Sequence, residues 1–135
     1  MKKDDAASAE EAVNILIIED EEMVLEVAQA MIERMGYTVL RAVNGEEAVK
    51  IAEHYSGEIH LAILDPGLPD MEGKDVYSHL IRFRPDMRII ICSGDSIEGT
   101  PREIMNAGTG FIQKPYNYDS LLAIITTVLK NGEKI

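Results

Sequence analysis

Residues 61–69 read LAILDPGLP and contain the clearest structural signal in the chain. Four apolar residues lead into Asp65, and Pro66, Gly67 and Pro69 then prevent the strand from continuing. A short apolar run that ends in turn residues is typical of a strand buried on both faces of a parallel sheet. Open α/β sheets place their chemistry at the carboxyl ends of such strands. We therefore predict that Asp65 lies at the centre of a functional site.

Strands and helices alternate on both sides of this segment. The other predicted strands cover residues 15–18, 37–43, 89–93 and 111–114. The predicted helices run over residues 23–35, from a cap at Asn44 to about 56, from Gly73 to 84, from Thr100 to about 106, and from Asn117 to 131. Five strands that alternate with five helices through short loops predict one doubly wound, five-stranded parallel sheet of the α/β class.

Composition limits the domain count and the kinds of partner. A chain of 135 residues forms one compact domain, which we place at residues 13–131, with a flexible tail or linker at 1–12 and a C-terminal tail at 132–135. The formal net charge of −11 argues against nucleic acid as a direct ligand. No apolar run is long enough to cross a membrane, and a single cysteine fits a reducing, cytoplasmic location.

Several residue types that can bind metals are interpreted as structural. The first helix has apolar residues at three- and four-residue steps, so we expect its methionines, Met23 included, to lie in the core. These apolar positions are Val24, Val27, Ala28, Met31, Ile32 and Met35. Cys92 is expected to be an inert core thiol. The three histidines, His54, His60 and His79, have no metal-ligand spacing.

Polar side chains end four of the five predicted strands. Glu19 and Asp20 follow the first strand, Asp65 the third, Ser93 the fourth and Lys114 the fifth. The carboxyl ends of parallel strands lie at one edge of the sheet, so these side chains are expected to converge. Clustered carboxylates repel one another, and Mg²⁺ with oxygen ligands is the natural compensation. The set then describes a site that receives a phosphoryl group on a carboxylate.

Four motifs together identify a resemblance. They are ILIIEDE at residues 15–21, LDPGLPDMEG at 64–73, IICSG at 90–94 and FIQKPY at 111–116. With them the chain resembles a receiver domain of the two-component response-regulator family, whose fold is flavodoxin-like, over roughly residues 13–131. The resemblance implies that Asp65 is the phospho-acceptor and that Ser93 and Lys114 contact the phosphoryl oxygens.

The same resemblance implies a metal site and a switch. The implied Mg²⁺ ligands are Asp20, Asp65 and the backbone carbonyl of Gly67, with Glu19 acting partly through water. Ser93 and Phe111 are the implied switch residues, and Lys114–Pro115 is implied to be a cis peptide. Three residues depart from the common pattern: Glu19, where aspartate is frequent, Gly67, and the nearby Asp95. The resemblance therefore does not predict the lifetime of the phospho-form.

In functional terms, the resemblance implies two-component signal transduction. A sensor histidine kinase or a histidine phosphotransfer protein would donate the phosphoryl group to Asp65, and the phospho-form would hydrolyse itself. Phosphorylation would change the face formed by the predicted fourth helix, strand five and the last helix, through which two copies could also pair. No stand-alone turnover enzyme is expected, and a hybrid histidine kinase is one expected parent chain.

Three alternatives use the same architecture. A pseudo-receiver would keep the fold as an interaction module without phosphorylation, and the retained Asp20, Asp65, Ser93 and Lys114 argue against it. An FMN carrier is disfavoured because acidic residues, instead of phosphate-binding amides, follow the first strand. An aspartyl phosphatase is disfavoured because no second acidic residue follows Asp65 at two-residue spacing.

Overall fold

The computed structural model describes residues 12–94 and 110–133. In chain order its elements are β1 (Asn14–Ile18), α1 (Glu22–Arg34), β2 (Thr38–Ala42), α2 (Gly45–His54), β3 (Leu61–Leu64), α3 (Gly73–Phe83), β4 (Arg88–Ser93), β5 (Gly110–Gln113) and α4 (Tyr118–Glu133). Residues 1–11 of the predicted tail at 1–12, and the predicted helix at 100–106, lie outside the described residues. Within residues 12–94 and 110–133, none of the helices is both long and apolar enough to cross a membrane.

The five strands form one parallel sheet in the order β2-β1-β3-β4-β5. This arrangement confirms the predicted doubly wound α/β fold. The strand β3 pairs with β1 on one side and β4 on the other, with Leu64 opposite both Ile18 and Ile91. At the far side, Ser93 of β4 is opposite Gln113 of β5. This register brings the carboxyl ends of β1, β3, β4 and β5 to one edge.

Each face of the sheet has its own hydrophobic core, because successive side chains of a strand point to opposite faces. On one face, residues such as Leu16, Ile18 and Leu64 pack with α2 and α3. On the other face, Ile15 and Ile17 pack with α1 and α4. All four residues of β3 are buried, as predicted for a strand covered on both sides.

The buried face of α1 differs from the predicted one. Leu25, Ala28 and Ile32 form the buried stripe, whereas Met23 is 79% exposed and Val27 is 57% exposed. The expectation that every methionine of this helix lies in the core is therefore wrong for Met23, and the inward placement of Val27 is wrong as well. Apolar residues occur on more than one side of this helix, so periodicity alone does not identify the side that packs.

The last helix is longer than predicted. Asn117 caps it as expected, since its Oδ1 accepts a hydrogen bond of 2.8 Å from the Ser120 N–H. The helix then continues to Glu133, past the predicted end at Asn131-Gly132. Glycine lowers helix propensity by about 1 kcal/mol without forbidding the helical backbone, so one glycine in a final turn is a weak stop signal.

Candidate functional site

Backbone hydrogen bonds that extend the sheet position the candidate site. The Glu19 N–H donates to the Ala42 carbonyl (3.0 Å), and the Asp65 N–H donates to the Ile18 carbonyl (3.2 Å). One residue beyond β5, the Lys114 N–H donates to the Ser93 carbonyl (2.8 Å). Glu19, Asp65 and Lys114 therefore leave the sheet at the same edge, with Ser93 beside Lys114.

Lys114 joins the two carboxylates that follow β1 and β3. Its Nζ lies 2.8 Å from Oε1 of Glu19 and 3.0 Å from Oδ2 of Asp65. The Lys114–Pro115 peptide bond is cis, as the resemblance implies. Sequence reasoning placed this lysine at the site but did not predict its direct bond to Glu19, because strand order alone does not give side-chain contacts.

The remaining carboxylate oxygens are bound by the backbone. The Gly67 N–H donates to Oδ1 of Asp65 at 2.9 Å, and the Glu21 N–H donates to Oε2 of Glu19 at 3.2 Å. Both oxygens of each acid therefore have a hydrogen-bond partner. Such contacts hold Glu19 and Asp65 in defined orientations before any ligand arrives.

Burial gives this cluster unusual electrostatics. Glu19 is only 4% exposed, and loss of hydration raises the pKa of its carboxyl although the Lys114 ammonium opposes the shift. Burial alone would lower the pKa of Lys114, but its hydrogen bonds to Glu19 and Asp65 outweigh that effect and raise the pKa. The lysine therefore stays charged and serves as the internal counter-cation of the site.

Three carboxylates could hold a metal ion at this edge. Glu19, Asp20 and Asp65 each offer an oxygen, and these oxygens lie within 4.8 Å of one another. Glu19 is buried, Asp65 is partly buried and Asp20 is exposed, so the cluster opens to solvent on one side. An all-oxygen donor set with an open side fits Mg²⁺, which binds a few carboxylates and keeps several waters.

The predicted switch residues lie in different surroundings. Ser93 ends β4 and is 8% exposed. Phe111, on β5, is partly buried against the core cluster on the α2 and α3 face of the sheet. Ser93 lies at the edge of the sheet that carries Asp65, and Phe111 is level with Leu64, the residue before Asp65. The switching role of both residues stays a prediction.

Cys92 and the three histidines, which are interpreted as structural from the sequence, lie outside the carboxylate group that could hold a metal ion. Cys92 is a free, buried thiol, and burial raises its pKa to about 12. The side chain of His54 is exposed at the end of α2. The Nδ1 atom of His60 accepts a hydrogen bond of 3.0 Å from the Asn14 N–H. His79 is half-buried on α3. Within residues 12–94 and 110–133, none of the three histidines belongs to the carboxylate group that could hold a metal ion.

Two hydrogen bonds between Asp70 and α2, here called the Asp70 tether, hold the loop between β3 and α3, residues 65–72. The sequence did not predict this contact. Oδ1 of Asp70 accepts from the Gly45 N–H (2.8 Å), and Oδ2 accepts from the Glu46 N–H (2.9 Å). The pKa of Asp70 is lowered by these two backbone hydrogen bonds. Asp70 lies about 25 residues from its partners, so no local capping pattern indicates this contact.

Comparison with known proteins agrees with this geometry. The family described as "Response regulator receiver domain" matches residues 15–126. The chain belongs to this receiver family. The match contains the strands, helices and loops that carry Glu19, Asp20, Asp65, Ser93 and Lys114.

The chain is similar to a segment of a sensor kinase, to a receiver domain and to a response regulator. The sensor kinase CckA of Brucella abortus is 31% identical over 134 residues, a match that covers 98% of this chain and 14% of CckA. A CheY-like receiver domain from Methanospirillum hungatei is 32% identical with a TM-score of 0.80, and 91% of this receiver and 98% of that chain align. The response regulator TrrA of Thermotoga maritima, in complex with Mg²⁺-BeF, is 28% identical with a TM-score of 0.75, covering 86% and 98%.

Proposed function

We propose that this receiver accepts a phosphoryl group on Asp65 from a phosphohistidine of a partner protein. The observation that carries the proposal is the Lys114 ammonium, which lies within 3.0 Å of oxygens on both Asp65 and the buried Glu19. A lysine that bridges two carboxylates supplies positive charge at the point where a phosphoryl group would add negative charge. A cytoplasmic two-component pathway is the corresponding cellular setting.

In the proposed transfer, an Asp65 oxygen forms a bond to phosphorus while the phosphorus–nitrogen bond of the donor imidazole breaks. The freed imidazole nitrogen keeps the bonding electron pair and takes up a proton. Lys114 balances charge on the phosphoryl oxygens, and the Ser93 hydroxyl donates to one of them. Later attack of water on phosphorus releases inorganic phosphate and returns Asp65 to its carboxylate form.

Magnesium is the proposed cofactor. Asp20, Asp65 and the carbonyl of Gly67 would hold the ion, with Glu19 acting partly through water. When bound, Mg²⁺ offsets the combined negative charge of carboxylates and phosphoryl oxygens. The TrrA complex with Mg²⁺-BeF supports this assignment by analogy.

The proposed output is a change in the face that contains Phe111. Ser93 would move toward the phosphoryl group, and Phe111 would change its packing against the core in response. Pairing of two receivers through this face stays a prediction, as does the predicted fourth helix that would contribute to it.

The exposed apolar residues of α1 support a protein as the phosphoryl donor. Met23 and Val27 are four residues apart and therefore lie on one side of the helix. The helix begins two residues after Asp20, whose carboxylate belongs to the same cluster as that of Asp65. We propose that the phosphohistidine protein packs on this apolar side while its imidazole reaches Asp65.

The phosphoryl acceptor can be tested with a small donor. We expect the wild-type chain with Mg²⁺ and acetyl phosphate to gain one acid-stable, base-labile phosphoryl group by intact-protein mass spectrometry, and Asp65→Asn to gain none. Asp119→Asn, which changes an exposed carboxylate in the first turn of α4, is the control and should label normally. No labelling of the wild-type chain, and no response to beryllofluoride, would favour the pseudo-receiver alternative.

Docking can be separated from chemistry by comparing two donors. Val27→Asp should slow transfer from a purified phosphohistidine protein by about tenfold, because a charge replaces an apolar contact. The same variant should react normally with acetyl phosphate. Ser78→Asp adds an equal charge at an exposed position of α3 and is expected to affect neither donor. Equal transfer rates for Val27→Asp and wild type would contradict docking on α1.

A further inference from the structure

We propose that Asp70 is a positioning residue for the phosphoryl-acceptor site, acting through the loop at residues 65–72. The inference rests on the proposed function, because it concerns how the Mg²⁺ and phosphoryl site at Asp65 is held in shape. The two hydrogen bonds from α2 to Asp70 carry it, at 2.8 Å and 2.9 Å. Asp70 itself touches neither metal nor phosphoryl group in this proposal.

The loop is held at both ends and near its middle. At the start, the Gly67 N–H donates to Asp65, which fixes the first turn. At the end, Gly73 packs so closely on Pro66 that an added Cβ would lie 2.6 Å from the Pro66 Cβ. The Asp70 carboxylate ties the part between these points to α2. Gly67, with its proposed metal-binding carbonyl, thus lies in a segment whose ends are both anchored.

A neighbouring contact strengthens the same attachment. The Met71 side chain covers Gly45, where an added Cβ would lie 2.7 Å from the Met71 Sδ. A larger residue at position 45 would therefore have to displace the Met71 side chain. Asp70 and Met71 together dock the loop on the first turn of α2 by a polar and an apolar contact.

The helix does not need Asp70 as its only cap. Asn44 already accepts a hydrogen bond of 2.8 Å from the Glu47 N–H, and Glu47 reaches back to the Val43 N–H at 2.9 Å. These local contacts form the expected cap of α2. Asp70 adds a second attachment that comes from the loop carrying the acceptor. Loss of this attachment frees the loop, whereas loss of Asn44 weakens only the helix end.

Two cap-removing variants separate these roles. Asp70→Ala and Asn44→Ala should both lower the unfolding midpoint in EDTA, since each leaves α2 amides without a side-chain partner. Only Asp70→Ala should also weaken Mg²⁺ binding, on the order of tenfold, because it releases the segment that positions a ligand. The dissociation constant is measured from Mg²⁺-dependent amide shifts in NMR spectra, with phosphorylation by acetyl phosphate followed in parallel.

A third variant separates position from charge. Asp70→Asn removes the negative charge but keeps one acceptor oxygen, so we expect its Mg²⁺ affinity to lie between those of wild type and Asp70→Ala. Equal weakening by Asp70→Asn and Asp70→Ala would assign the effect to charge and overturn the inference.

The outcomes also distinguish this inference from the proposed function. A wild-type chain that binds Mg²⁺ and accepts the phosphoryl group, with Asp70→Ala unchanged in both properties, would overturn only the positioning role. A wild-type chain that does neither would overturn the proposed function and this inference together. Asp70→Asn keeps the test decisive if Asp70→Ala does not fold.

Discussion

Two carboxylates at the same edge of the sheet, Glu19 and Asp70, differ in almost every physical respect. Glu19 is nearly inaccessible, bonded to Lys114, and has a raised pKa because burial disfavours its charge. Asp70 is exposed, bonded to two amides of α2, and has a lowered pKa because those amides favour its charge. The surroundings of Glu19 therefore disfavour its charged form, whereas those of Asp70 favour the charged form.

The difference separates a charge that needs a counter-cation from one that the backbone stabilises. A buried acid whose counter-cation is a single lysine lowers stability when that lysine is removed. An exposed acid at a helix N-terminus stabilises the fold whatever happens at the site. The receiver thus has a carboxylate cluster with one internal cation, Lys114, while a nearby acid, Asp70, anchors the loop at residues 65–72.

Removal of the lysine should have the largest effect on stability. Lys114→Met should lower the free energy of unfolding in EDTA by about 3 kcal/mol, because it leaves Glu19 and Asp65 without their counter-cation. Added Mg²⁺ should then stabilise the variant more than it stabilises wild type. Urea unfolding followed by circular dichroism measures both quantities.

Lys74→Met provides the control, since the Lys74 side chain is 55% exposed and lies 4.0 Å from Glu72. Such a surface pair contributes ~1 kcal/mol or less. If Lys114→Met were as stable as Lys74→Met, the cluster would not depend on its internal cation, and the contrast between Glu19 and Asp70 would fail.

Removal of one negative charge should have a smaller effect of opposite sign. Asp65→Asn should raise metal-free stability by ~1 kcal/mol, because Lys114 then neutralises Glu19 alone and the repulsion between Glu19 and Asp65 is gone. The asparagine Oδ1 can still accept from the Gly67 N–H. The measurement is the urea midpoint in EDTA, and a lower midpoint would show that repulsion is not the dominant interaction.

The sequence predicts those features of the site that are determined by the strand pattern and the sheet topology. The apolar runs identify all five strands, and parallel order then brings Glu19, Asp20, Asp65 and Lys114 to one edge. The placement of these side chains could be predicted because it depends on where strands end. Their roles in phosphoryl transfer stay predictions.

Other features depend on contacts that periodicity does not contain. The exposure of Met23 and Val27 depends on which side of an apolar helix faces the sheet. The bond between Lys114 and Glu19 depends on side-chain reach across two strands. The Asp70 tether joins a loop to a helix about 25 residues earlier. Each of these requires the folded chain, whereas strand positions require only local sequence.

The smallest predicted effect concerns the pH dependence of the Asp70 tether. A carboxyl whose pKa is lower in the folded state than its ordinary value of 3.8 contributes stability above that value. The contribution is lost as pH falls through the folded-state pKa, because the protonated acid is a poorer acceptor for the two amides. The stability difference between wild type and Asp70→Asn should therefore be constant near neutral pH and shrink below about pH 4. Asn44→Ala removes a cap that does not titrate in this range, so its stability difference should stay constant over the same interval. Urea unfolding from pH 3 to 7 compares the three proteins, and parallel pH profiles for the two variants would show that the charge of Asp70 does not contribute to the tether.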